Sequence, residues 1–174
     1  MKKKVIIGIS IGMLIMLCVL IYSIVTRLEE KKVASVLTQS LPEFEMPTLN
    51  NRNVSNLNLK NDTPVILFFF HSECEYCQHE AQEIEKKIEL FSKTQILFIS
   101  AEELETIKRF SIEYKLYNHD NIYFMADRDG QFASRIEATT NPYILIYDSK
   151  HKLLKRFKGQ TKPEAILNLL QIDF

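Results

Sequence analysis

Residues 64–81 read PVILFFFHSECEYCQHEA, and this stretch decides both the fold and the chemistry expected of the chain. Its first half is a continuous apolar run rich in β-branched and aromatic side chains, which is typical of a strand buried on both faces. Its second half opens an amphipathic helix, in which apolar residues recur at steps of four and three: Cys77, Ala81, Ile84, Ile88 and Phe91. Two cysteines therefore stand where a buried strand passes into a helix.

The spacing of these cysteines favours thiol chemistry. Three positions further along a helix, Cys77 returns to the face of Cys74, so the two sulfurs can close a small disulfide. Cys74 stands at the helix N-terminus, where the helix dipole and free N–H groups favour a thiolate. We therefore expect Cys74 to be the nucleophile and Cys77 the resolving thiol of a redox-active disulfide. An inert disulfide and a zinc site are the alternatives, whereas Gln78 excludes haem attachment, which needs His at that position.

Strands and helices alternate along the rest of the chain. Apolar runs predict further strands at 95–100, 122–125, 143–147 and 153–157, the last two forming a hairpin. Helices are expected at 104–114 and after Thr161, which we expect to cap the last helix while Glu164 reaches back to it. A short edge hairpin is expected within 54–59. This order predicts an α/β fold with a parallel core, helices on both faces and an antiparallel hairpin at the end.

The dipeptide Asn141-Pro142 is the second chemical signal. It precedes the strand YILIY and lies about 65 residues after the cysteine pair. A proline that merely starts a strand is common. Its position before the hairpin instead favours a cis proline packed against the disulfide, which would present the backbone of Asn141 to a substrate strand.

The N-terminal segment has the composition of a membrane anchor. Residues 5–25 carry no charge and, as a helix, would span roughly 31 Å, close to the thickness of a bilayer core. Lys2, Lys3 and Lys4 precede this run, which favours a cytoplasmic N-terminus and an extracytoplasmic domain. We expect a single-pass signal-anchor at 1–26, a tether at 27–40 and a folded domain at 41–174. A cleaved signal and a lipoprotein signal ending at Cys18 are the alternatives.

Charge excludes one class of partner. From Leu41 onward the chain has 16 Lys and Arg against 20 Asp and Glu, a formal net charge of −4. A mildly acidic domain without a basic stripe is a poor nucleic-acid binder, so no nucleic-acid partner is expected.

From Leu41 to Gln171 the chain resembles the membrane-anchored thioredoxin-like proteins of the ResA and TlpA type, in the redoxin family. The matching stretches are LPEFEMPTLN, PVILFFFHSECEYCQHEA, ILFISAEELE and DRDGQFASRIEATTNPYILIYDSKHKLLKRFKGQ. The resemblance implies a thioredoxin fold with an N-terminal hairpin and a central insertion. It also implies a thiol–disulfide oxidoreductase that reduces extracytoplasmic (periplasmic) proteins, needs no cofactor or metal, and draws electrons from a transmembrane thiol–disulfide reductase.

The same resemblance assigns roles to individual residues. It implies that Cys74, Cys77 and Pro142 are catalytic, and that Glu75, Tyr76 and Asn141 contact the substrate. Glu102 matches a carboxylate that related anchored reductases carry after the second core strand, and we expect it to assist proton transfer.

The chain also departs from the family pattern near the first cysteine. His71, Ser72 and Glu73 replace the usual aromatic residues, and Tyr76 replaces the usual proline. Phe68 stands where minimal thioredoxins hold a buried Asp.

Metal delivery is the other function class considered. Copper chaperones of this fold use two cysteines and a distant His, but the cysteine spacing here is CxxC rather than CxxxC. His119 is the only plausible distant ligand, and it lies outside the hairpin. Peroxidase chemistry is disfavoured because the Pro-x3-Thr-x2-Cys arrangement is absent.

Overall fold

The computed structural model describes residues 2–50 and 52–171, so residues 1, 51 and 172–174 lie outside the described part. The chain divides into an N-terminal unit that ends at Val36 and a C-terminal unit that begins at Leu37.

A single long helix, α1 (Lys2–Leu37), accounts for the N-terminal unit. Its stretch Gly12–Leu37 is long and apolar enough to cross a bilayer, by length and composition. The large apolar side chains between Met13 and Val25 are exposed, as expected of a helix that has no protein core around it. The helix continues through the first part of the segment that the sequence assigned to a tether.

The C-terminal unit contains seven strands and four further helices among its described residues. The strands are β1 (Glu45–Pro47), β2 (Asn53–Ser55), β3 (Val65–Phe69), β4 (Gln95–Ser100), β5 (Ile122–Ala126), β6 (Tyr143–Tyr147) and β7 (Leu153–Lys158). The helices are α2 (Glu75–Lys86), α3 (Leu104–Glu113), α4 (Gln131–Arg135) and α5 (Pro163–Leu169).

Five of these strands form one sheet in the order β5-β4-β3-β6-β7, and β1 pairs with β2 as a separate hairpin. Strands β3, β4 and β5 are parallel, whereas β6 and β7 are antiparallel to their neighbours. Phe69 pairs with Tyr143, so the end of β3 and the start of β6 meet at one end of the sheet. The predicted α/β fold class is confirmed, with β5 and α4 as the central insertion.

Both faces of the sheet are buried, which explains the unbroken apolar run of β3. Ile66 and Phe68 pack on the face covered by α2, α3 and α5. Val65, Leu67 and Phe69 pack on the opposite face with residues of α4 and the N-terminal hairpin. Burial of each such side chain stabilises the fold by roughly 1.5–3 kcal/mol. This packing fixes the segment that follows β3 and the segment that precedes β6 at one end of the sheet.

The N-terminal hairpin differs from its prediction. Residues 54–59 do not pair with each other, because β2 pairs with β1. A 3₁₀ turn, Asn56–Asn58, follows β2 at once. The amide of Asn56 accepts from the N–H of Phe44 and donates to the carbonyl of Pro42, so this side chain fixes the turn against an earlier segment.

The start of the last helix also differs from its prediction. The N-cap of α5 is Lys162 and has no side-chain cap, so the expected capping by Thr161 is wrong. The N–H of Thr161 instead donates to Glu80 Oε2 at 3.0 Å. Glu164 pairs with Lys87 of the α2 end rather than reaching back to the cap.

The compact unit starts a few residues before Leu41. Residues 39–41 pair with the turn before β7, since Gln39 accepts from the N–H of Leu153 at 3.0 Å and Leu41 donates to the carbonyl of His151 at 2.9 Å. Thr38 is fully buried and accepts a hydrogen bond from Arg156 of β7. Residues 38–40, which the sequence assigned to the tether, therefore belong to the folded unit.

Candidate dithiol site

Cys74 caps the N-terminus of α2 at the sheet end where β3 stops. Its sulfur accepts the N–H of Cys77 at 3.4 Å, which satisfies one of the free N–H groups of the first turn. The Cys74 thiol is half-buried and lies 3.5 Å from the carbonyl oxygen of Asn141, to which it donates. The structure therefore holds Cys74 at the surface between a helix terminus and the loop before β6.

Cys77 lies one turn further along α2 and has no exposed surface. Both cysteines are free thiols. Burial raises the pKa of the Cys77 thiol well above its usual value, and its hydrogen bond with Cys74 and the nearby negative charges act in the same direction. Cys77 consequently keeps its proton at neutral pH. The two thiols therefore differ in access. Their roles as nucleophile and resolving thiol stay a prediction.

The Asn141–Pro142 peptide bond is cis, as the sequence predicted. The carbonyl of Pro142 accepts the N–H of Gly159 at 2.8 Å, which ties this loop to the end of β7. Asn141 is exposed, and its carbonyl faces the Cys74 thiol. A substrate segment that approaches Cys74 would therefore meet the backbone of Asn141.

Glu75 and Tyr76 form the first turn of α2 between the cysteines. Both side chains are exposed, and Tyr76 has 64% of its surface open to solvent. An exposed ring beside an accessible thiol offers apolar contact to a partner. The residues predicted to contact substrate therefore lie at one surface of the domain.

Glu102 lies beside the loop that precedes Cys74, rather than against the cysteines. Its carboxylate accepts the N–H and the hydroxyl of Ser72 at 2.7 and 2.6 Å, and the hydroxyl of Ser100 at 3.0 Å. It also lies 3.8 Å from Nε2 of His71. This geometry favours a positioning role for Glu102, and its part in proton transfer stays a prediction.

Glu80 is the site residue that sequence reasoning missed. It follows Cys77 by one helical turn and, like Cys77, has no exposed surface. Its Oε2 accepts the N–H of Thr161, while its Oε1 has no hydrogen-bond partner among the described residues. Burial raises the pKa of Glu80 to about 7, and the hydrogen bond from Thr161 opposes part of that shift.

The negative charge of Glu80 in turn raises the pKa of the Cys77 thiol. A proton acceptor that titrates near neutral pH therefore lies on the same helix face as the buried thiol. The sequence did carry a signal, since Glu80 occupies a core-facing position next to Ala81 in the apolar stripe of α2. Without the fold, its position in the stripe does not show that the carboxylate is buried.

The described part of the chain offers no group of three or more His, Cys, Asp or Glu residues arranged for a metal ion. His119 precedes β5, at the sheet end opposite the cysteines, and its ring contacts the carbonyl of Lys115. The distant ligand considered for copper is therefore not brought to Cys74 and Cys77.

Glu80 predicts an unusual dependence of stability on pH. Its pKa is raised on folding, so the native state binds an extra proton between about pH 4.5 and 7, and stability should fall as pH rises through that window. The pKa difference corresponds to at most about 3 kcal/mol. We expect Glu80→Gln to flatten this decline, measured by chemical denaturation of the detergent-solubilised, reduced protein at about pH 5 and about pH 8. The exposed control Glu89→Gln should keep the wild-type decline. An equal decline in Glu80→Gln and wild type would show that Glu80 is not the group responsible.

Comparisons with known proteins bear on the family and the fold. The AhpC/TSA family model matches residues 37–167, and no curated protein matches the chain significantly. A secreted Mycobacterium tuberculosis disulfide oxidoreductase homologous to E. coli DsbE has 17% identity and a TM-score of 0.63, covering 74% of this chain and 94% of that one. Peroxidoxin BcpB from the same organism has 18% identity and a TM-score of 0.65, covering 76% and 94%.

The exposed lipoprotein thioredoxin Etrx1 from Streptococcus pneumoniae strain TIGR4 has 20% identity and a TM-score of 0.58, covering 74% of this chain and 98% of that one. Identities this low establish a shared fold and nothing more. The family match spans almost all of the compact unit. The chain therefore has a thioredoxin-like fold and belongs to the AhpC/TSA family.

Proposed function

We propose that the chain is a membrane-anchored thiol–disulfide oxidoreductase that reduces disulfide bonds of extracytoplasmic proteins. The observation that carries this proposal is the asymmetry of the cysteine pair: Cys74 is accessible at a helix N-terminus, and Cys77 is buried one turn behind it. Membership of the AhpC/TSA family supports a thiol-based oxidoreductase activity.

The reaction proceeds as two thiol–disulfide exchanges. The thiolate of Cys74 attacks one sulfur of the substrate disulfide, forms a mixed disulfide and releases the other substrate sulfur as a thiolate, which takes up a proton. Cys77 then loses its proton and attacks the sulfur of Cys74, which releases the second substrate thiol. The substrate gains two electrons and two protons, and the enzyme is left with a Cys74–Cys77 disulfide.

The second exchange needs a proton acceptor for Cys77, because burial keeps this thiol protonated. Glu80 supplies a carboxylate on the same helix face, with a pKa raised to about 7 by burial. A base whose pKa lies near the working pH is well matched to this transfer. In the return reaction the protonated carboxyl gives the proton back to Cys77.

The surroundings of Cys74 suit an extended polypeptide. The carbonyl of Asn141 and the exposed Glu75 and Tyr76 surround the thiol and leave it open to a large partner. A groove of about 440 Å³ lies beside the loop before Cys74, lined by residues that include His71, Glu73 and Glu102. We therefore propose a disulfide-containing protein as substrate, with Asn141, Glu75 and Tyr76 as contacts.

The charges at the site favour the reducing direction. Glu73 and Glu75 flank Cys74 and place negative charge near it, and neither of the two residues between the cysteines is a cation. Strong oxidants of this fold depend on an unusually stabilised thiolate, which these charges oppose. Positive charge on His71 or His79 would favour the Cys74 thiolate. However, His71 lies beside Glu102, and His79 is hydrogen-bonded to Gln160. A transmembrane thiol–disulfide reductase is the electron donor that suits an anchored reductant.

Two other functions lack a supporting geometry. Metal delivery would need a further ligand at the cysteines, and His119 is not placed there. The likeness to a peroxidoxin raises peroxidase chemistry. However, Leu67 and His71 stand where the Pro-x3-Thr-x2-Cys pattern ending at Cys74 needs Pro and Thr.

Substrate trapping tests the proposed exchange directly. Cys77→Ser should accumulate mixed disulfides with substrate proteins, because the resolving thiol is gone, and Cys74→Ser should not. The measurement is diagonal electrophoresis of alkylated membranes with identification of the captured proteins by mass spectrometry. Both variants carry Cys18→Ser, so that the third cysteine cannot contribute. Capture by Cys74→Ser and not by Cys77→Ser would reverse the assigned roles, and capture by neither would argue against the function.

Topology is tested separately. The Lys2–Lys4 cluster and the uncharged run at 5–25 predict an extracytoplasmic domain. Protease added to intact spheroplasts should therefore digest the C-terminal unit, while a cytoplasmic marker protein survives. Digestion of the domain only after lysis would place it in the cytoplasm.

A further inference from the structure

A polar cluster lies within the apolar packing on the sheet face that α4 and the N-terminal hairpin cover. Tyr143 and Tyr147 of β6 belong to this packing and have no exposed surface. Arg156 of β7 is half-buried, and its Nε atom is buried. The described residues contain five buried side-chain polar atoms without a hydrogen-bond partner, and three of them are the two phenol oxygens and this Nε. Buried polar groups are normally hydrogen-bonded, so a cluster of three without partners needs an explanation.

The strand register brings the three side chains to one face of the sheet. Arg156 lies opposite Leu145 across the β6–β7 pair, and opposite residues of two paired strands project on the same face. Tyr143 is the diagonal neighbour of Arg156, at roughly 7–8 Å, which long side chains can bridge. Tyr147 lies on the same face, beyond an irregularity of the register that follows Ile146. The side chain of Arg156 can therefore reach between the two rings.

The charge of Arg156 has no counterion in the described part of the chain. No carboxylate there forms an ion pair with it, and its Nη2 donates to the hydroxyl of Thr38, which is neutral. Burial raises the pKa of the Tyr143 and Tyr147 phenols, while the charge of Arg156 lowers both. The charge of Glu137 raises the pKa of Tyr143, but Glu137 does not pair with Arg156. A cation and two neutral phenols thus lie together without a negative partner.

We propose that Tyr143, Tyr147 and Arg156 bind a small monovalent anion of the size of chloride. Each phenol O–H and the Nε–H can donate a hydrogen bond, and an anion accepts all three while it compensates the guanidinium charge. A water molecule in the same place would satisfy the phenols but leave the charge without a counterion. Leu145 and the two rings have no exposed surface, which disfavours a bulky organic anion.

A bound anion would connect three segments of the folded unit. It would join β6 to β7, and through Arg156 it would act on Thr38, near the start of this unit. Tyr143 directly follows Pro142, so the same contacts would help to hold the Asn141–Pro142 loop beside Cys74. The proposal concerns the stability of this strand pair and does not depend on the proposed redox function.

The dependence of stability on chloride tests this proposal. The detergent-solubilised, reduced full chain is unfolded with urea at one ionic strength, while gluconate is replaced stepwise by chloride. An anion that binds only the native state stabilises it by mass action, so each tenfold rise in chloride above its Kd should raise the folding constant about tenfold. The urea midpoint of the wild type should therefore increase with chloride. A midpoint that does not increase would overturn the proposal.

Two conservative variants locate the effect at this site. Tyr143→Phe and Tyr147→Phe each remove one hydroxyl and keep the ring. In gluconate each variant should be at least as stable as the wild type, because it loses an unsatisfied buried group. In chloride each should be less stable than the wild type, with a smaller response to chloride. The control Tyr117→Phe changes a half-buried tyrosine before β5 and should keep the full response.

Two results with these variants would contradict the site. A full chloride response in both Tyr143→Phe and Tyr147→Phe would place the bound anion elsewhere. An equal loss of stability in chloride and in gluconate would show that the hydroxyls bind water rather than an anion. Arg156→Gln removes the charge and should abolish the response. Should this variant fail to fold, the two phenylalanine variants decide the question without it.

Discussion

A carboxylate and a thiol without exposed surface share one face of α2, and the chemistry of the site depends on this arrangement. Glu80 and Cys77 are both desolvated, so each holds a proton more tightly than it would in water. The cost of burying an ionised group keeps the Cys77 thiol protonated at neutral pH, whereas Glu80, with a pKa raised to about 7, is partly ionised there. The proton that Cys77 must lose then has an acceptor one helical turn away. Cys74 lies outside this buried pair and remains accessible to large partners.

The rest of the fold positions the residues around the two cysteines. Strand β3 ends immediately before the loop of Cys74, and its antiparallel partner β6 begins immediately after Pro142. Pairing of Phe69 with Tyr143 therefore sets the separation between the helix N-terminus and the Asn141 carbonyl. The loop after β7 closes the opposite side through the bond from Thr161 to Glu80. Glu102 accepts two hydrogen bonds from Ser72 and so fixes the loop before Cys74. It therefore acts on the cysteines through this loop rather than by direct contact.

The part of the site encoded in local sequence could be predicted, and the part made by distant packing could not. The strand at β3, the helix that begins after Cys74 and the cis bond before Pro142 follow from apolar runs, cysteine spacing and position. Glu80 was missed because the residue that hydrogen-bonds to it, Thr161, lies 81 residues away in the sequence. Residues 38–40 were assigned to a tether because their polar composition suits a linker. Their pairing with the turn before β7 is a tertiary contact with no local signature. The hairpin was misplaced for a similar reason, because Asn56 bonds to Phe44 and Pro42 rather than continuing a strand.

The central claim is that Cys74 and Cys77 form a redox pair poised to reduce. The most direct measurement is equilibration of the protein with graded glutathione or dithiothreitol buffers, with the disulfide quantified by mass shift after alkylation. The account predicts a single two-electron transition that involves both cysteines, at a potential near the thioredoxin value, roughly −250 mV or lower. A transition near the DsbA value, roughly −120 mV, would make the protein an oxidant. The absence of any disulfide between Cys74 and Cys77 across the range would contradict the redox site itself.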